Sequence, residues 1–92
     1  MLTFDDCIGL SDLTEDEVDA ISVHEHVPEI VALELGHFLL HQPRGAAYLR
    51  QVMEDEIAGA AARRDFRQAA HLIAVLRKFV ARNGVADTAR DA

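Results

Sequence analysis

Tryptophan is absent from this chain, and cysteine, lysine and tyrosine each occur once. The single Cys7 excludes a disulfide scaffold and a four-thiolate zinc site within one chain. Its neighbours Asp5 and Asp6 disfavour a thiolate, so Cys7 reads as a small apolar side chain. No alternating run rich in Val, Thr and aromatics is bounded by turns, which excludes a sheet. No apolar run approaches the ~18 residues of a membrane span, so no membrane partner is expected. Met1–Leu10 has acidic residues where a secretory leader is basic, and a cytoplasmic location is expected. A Gly-rich phosphate loop, a Gly-x-Ser-x-Gly elbow and EF-hand spacing are all missing. A His–Glu pair could carry acid–base chemistry, but no nucleophile or phosphate loop accompanies one, so an enzyme is not expected.

Basic residues are missing from the entire front of the chain. Met1 to Pro43 holds ten acidic residues and no Lys or Arg, whereas Arg44 onward holds nine basic and six acidic ones. The two segments carry −10 and +3, within a net charge of −7. A phosphate backbone is repelled by the first segment, so no nucleic-acid partner is expected. The asymmetry predicts that acidic and basic halves face each other, within the chain or across a dimer, or that the acidic half docks on a basic protein.

What is abundant is Ala, Leu, Val and Ile in helical rhythm. Thr3 can cap a short helix within Met1–Leu13, with Phe4, Ile8 and Leu10 as its stripe. Thr14-Glu15-Asp16-Glu17 is a capping box, and three carboxylates suit the positive end of the helix it opens. That helix runs to about Glu25, burying Val18, Ile21 and Val23, with Leu13 stapled onto it. Pro28 opens the next helix, and Pro43 stops it after His41 or Gln42. From Pro43–Gly45 to Arg64 the stripe Leu49, Val52, Met53, Ile57 and Ala60 predicts a long helix. Asp65 caps the last, whose core face reads Phe66, Ala69, Leu72, Ile73, Leu76 and Val80, with Asn83-Gly84 as its stop. Ala61, Asp65, Ala69 and Leu72 together resemble one tetratricopeptide hairpin, but no second copy exists and a solenoid needs about three.

The fold class is therefore all-α: a compact bundle of four to five helices ending in a long antiparallel hairpin, Leu49–Arg64 against Phe66–Arg82. Residues 1–84 form the expected domain, and residues 85–92 a frayed tail.

The candidate site lies on Val27–His41, apolar nearly all round and therefore expected to be buried. Glu34, His37 and His41 fall within a ~60° arc of this helix at about 100° per residue, with Gly36 on the open side. Glu56 falls inside the apolar stripe of the following helix and must find a partner if buried. The simplest expectation is that these four satisfy one another within a homodimeric interaction or regulatory protein, with no cofactor. The alternative is a dimeric carboxylate–histidine metal protein. Glu34-x-x-His37 has the spacing of di-iron bundles, and His37-x-x-x-His41 suits zinc. His24, Glu25 and His26 straddle a helix break and read as capping and solvation, Tyr48, Arg44 and Arg50 as a solvated face, and His71 as an edge residue.

Overall fold

In the computed structural model, which describes residues 3–84, five helices follow one another and no strand occurs among those residues. They are α1 (Phe4–Leu10), α2 (Glu15–Glu25), α3 (Glu29–Leu40), α4 (Gly45–Ala62) and α5 (Phe66–Asn83). The radius of gyration is 13.1 Å. No helix among the described residues is long and apolar enough to cross a membrane. The expected tail, residues 85–92, lies outside the described residues.

Local chemistry sets the helix ends. Thr3 and Thr14 each form a complete capping box, with Asp6 and Glu17 respectively. Pro28 precedes α3 in extended geometry, where its missing N–H costs nothing. The Asp65 side chain accepts from the Gln68 N–H at 3.1 Å. Each tight joint contains a left-handed residue: His26, Arg44 and Arg64 at φ 59°, 64° and 63°. Gly84, at φ 63°, ends α5 in the same conformation without the Cβ penalty.

One core joins Leu13 to α2, α3, α4 and α5, and α1 rests on it through Phe4, Cys7 and Ile8. From α2 it takes Val18 and Ile21, from α4 Leu49, Val52 and Met53, and from α5 Leu72, Val75 and Phe79. Val23, expected inside, is exposed. The α5 core face is rotated by about 70° from the expected one at 100° per residue. Val75 and Phe79 are buried, whereas Phe66 and Ile73 are exposed.

The largest departure is in α3. Only Ala32, Leu33 and Gly36 are buried, and Ile30, Val31 and Phe38 face outward. Gly36, expected on the open side, is buried and packs against Leu13 and Ile21. A Cβ there would stand 2.7 Å from Leu13 Cδ1 and 3.0 Å from Ile21 Cδ1. Small residues on the contact face (Ala20, Ala32 and Gly36) let the backbones approach, so the bulky side chains are left outside. Gly45 does the same at the next joint, where a side chain would overlap the carbonyl of Leu39.

Candidate functional site

The α3 arc is present as expected but turned to the surface. Glu34, His37 and His41 are all exposed, with Ile30 among them. The two imidazoles sit one turn apart, ring centroids 4.7 Å apart and planes tilted by 59°. His41 Nδ1 lies 2.8 Å from the His37 carbonyl oxygen. A carbonyl only accepts, so Nδ1 carries the hydrogen and the neutral ring presents its Nε2 lone pair outward. Beside this arc a groove of about 340 Å³ runs between α1 and α3, lined by Cys7, Leu10, Ile30, Leu33, Glu34 and His37.

Glu56 does not join them. It is half-buried on α4, within electrostatic reach of His24. Among the described residues no three His, Cys, Asp or Glu side chains are grouped so as to hold a metal ion.

The buried carboxylate is instead Glu17, 1% exposed. Its Oε1 accepts from the Thr14 N–H at 2.9 Å and from Arg82 Nη2 at 2.6 Å. The same guanidinium nitrogen donates to the Asp12 carbonyl at 3.2 Å, tying the α1–α2 connection to the end of α5. The hydrogen bond that Arg82 donates to Glu17, against the opposing effect of burial, raises the Arg82 pKa further above its ordinary value. Oε2 of Glu17 is buried with no hydrogen-bond partner among the described residues. A cleft of about 560 Å³ opens next to this pair, lined by residues including Asp12, Thr14, Leu40, His41 and Arg82. A signal for Glu17 did exist: it sits one turn before Ile21, on a face that must bury.

A second polar cluster links α2 to α4. His24 Nδ1 is 2.8 Å from Glu25 Oε2, and Nε2 is 3.0 Å from Asp55 Oδ2. Tyr48 donates to the same Glu25 oxygen at 3.1 Å, and Gln51 Nε2 donates to Asp55 Oδ1 at 3.0 Å. Burial opposes the positive ring, but hydrogen bonds to Asp55 and Glu25, with the charges of Glu25 and Glu56, raise the His24 pKa from 6.5. Asp55 is lowered by its bonds from Gln51 and His24. Both imidazole nitrogens face carboxylates, so the doubly protonated ring is the form that satisfies all partners. His24 was expected to be solvated, and Tyr48 and Arg50 to belong to a solvated face. Arg50 is instead buried and paired with Glu54 at 3.1 Å. His71 sits at an edge as expected, 3.5 Å from Asp16.

No family model matches this chain, and no curated protein or solved structure is detectably similar to it. The residues themselves therefore carry any functional reading. The Glu17–Arg82 pair and the His24 cluster each have a hydroxyl beside them, of Thr14 and Tyr48 respectively, that is engaged in a hydrogen bond within the cluster. Their partners are one another, and they join helices. The α3 arc differs, because Glu34, His37 and His41 are exposed and line open grooves at the surface.

Proposed function

We propose that this is a small acidic interaction or regulatory protein of the cytoplasm that works as a homodimer through the outward face of α3. One observation carries the reading. Ile30, Val31 and Phe38 are 46%, 41% and 58% exposed along that helix, beside Leu10 at 74%. Single exposed apolar residues are ordinary, whereas several on the outward half of one helix mark a contact surface. A chain of this length buries only about two-thirds of its unfolded surface by itself, so covering them adds burial that the monomer lacks.

In this reading α4 and α5, each of 18 residues, form a long antiparallel hairpin that backs α2 and α3. The acidic front segment makes a basic protein the alternative occupant of the same surface. Sedimentation equilibrium at micromolar concentration, run with and without zinc, tests the homodimer. Twice the chain mass is expected in at least one condition, and Phe38→Asp is expected to give a single chain mass in both. A single chain mass for the wild type in every condition overturns the homodimer.

A further inference from the structure

We infer that His37 and His41 are half of a zinc site that a second copy of this chain completes. The inference rests on the homodimer proposed above and names what holds it together. His37, in the last turn of α3, and its C-cap His41 hold their ring centroids 4.7 Å apart, which brings two imidazoles to one place on the surface. The His41 ring is fixed by its Nδ1–H donated to the His37 carbonyl at 2.8 Å. Metal-bound histidines are commonly held in this way, with one nitrogen bonded to a backbone carbonyl and the other free for the ion. The last turn of a helix also favours a cation, because its carbonyls are the negative end of the dipole.

Within one chain the site stops at two ligands, since no third His, Cys, Asp or Glu is grouped with them among the described residues. Structural zinc is tetrahedral and takes four. A two-fold axis beside α3 supplies the missing pair as the same two imidazoles from the second copy. It simultaneously covers Ile30, which lies within the arc, and Val31 and Phe38, which lie on its adjoining side.

Charge gives the metal a further role. The first 43 residues carry ten acidic side chains and no Lys or Arg, so two copies meeting through α3 bring like charges together. A divalent cation in the seam offsets that repulsion. Imidazole also suits copper and nickel, but a closed site of four imidazoles between two helices is the tetrahedral arrangement zinc accepts.

Zinc titrated into tag-free protein, read by sedimentation and by calorimetry, tests this. Binding is expected to saturate at about one zinc per two chains, and free zinc at about 100 times its dissociation constant should raise the dimer association constant on the order of 100-fold. EDTA should reverse the effect. His37→Ala and His41→Ala, both on the surface, should abolish it, and His71→Ala should retain it. A dimer that Phe38→Asp breaks but that ignores zinc and both α3 histidine variants overturns the zinc site and leaves the homodimer standing. Zinc bound to a chain that stays monomeric overturns the bridging site. No dimer in any condition overturns both.

Discussion

Arg82, in the last turn of α5, places Nη2 2.6 Å from Oε1 of Glu17, in the first turn of α2. The carboxylate is 1% exposed, whereas the arginine side chain is 39% exposed. The pair is thus an anion inside the fold held by a cation at its edge, and it fastens the C-terminal helix to the α1–α2 connection. Glu17 serves two ends at once, since the same oxygen completes the Thr14 capping box.

Removing Arg82 leaves that carboxylate without its cation. Breaking buried pairs costs about 3–5 kcal/mol, and the solvent access of the arginine reduces the expected loss for Arg82→Ala to about 2 kcal/mol. Glu17→Gln keeps an acceptor for Thr14 and should lose only about 1 kcal/mol. Urea unfolding of both single variants and the double variant should give a favourable coupling. Additive losses would mean that the two groups do not interact.

Stability should depend on pH through His24. Its folded pKa is raised from 6.5, so its contribution is complete below 6.5 and is lost as pH rises through the folded value. Asp55 is lowered from 3.8, so its contribution holds above 3.8 and is lost as pH falls through its folded value. The unfolding midpoint at about pH 5.5 should therefore exceed that at about pH 8.5. His24→Gln should flatten this difference; an unchanged pH profile in that variant would remove His24 as its source.

The glycines should rank by what surrounds them. Gly45→Ala drives a Cβ into the backbone carbonyl of Leu39, which cannot move alone, and should cost about 3 kcal/mol or more. Gly36→Ala meets only the methyl tips of Leu13 and Ile21, and about 1–2 kcal/mol is expected. Gly59→Ala meets Arg63 Nη1 at 3.4 Å inside a helix and should stabilise by about 0.5 kcal/mol. Thermal melts of the three variants test the order.

Two phenylalanines of α5 should differ sharply. Phe79 is 0% exposed, and Phe79→Ala should cost about 3–5 kcal/mol. Phe66 is 64% exposed, and Phe66→Ala should change stability by less than about 0.5 kcal/mol. Comparable losses from both would return the core to the face first expected.

Features that depend only on neighbours along the chain are legible in the order of residues. Helix starts at Thr14, Pro28 and Asp65, and the stop at Gly84, follow from hydroxyl and carboxylate caps, a missing N–H and an absent Cβ. The arc shared by Glu34, His37 and His41 follows from the helix repeat alone. Which arc turns inward depends instead on how the helices meet in space. On α3 and α5 apolar residues cover more of the circumference than one contact can use, so pattern alone cannot choose between Gly36 and Phe38, or between Phe79 and Phe66. On α3 the choice falls to close approach: Gly36 admits Leu13 and Ile21, and Phe38 with both α3 histidines is left outside. The same packing puts Glu17 in the interior and Glu56 at its margin, because Arg82 arrives from 65 residues away to hold Glu17.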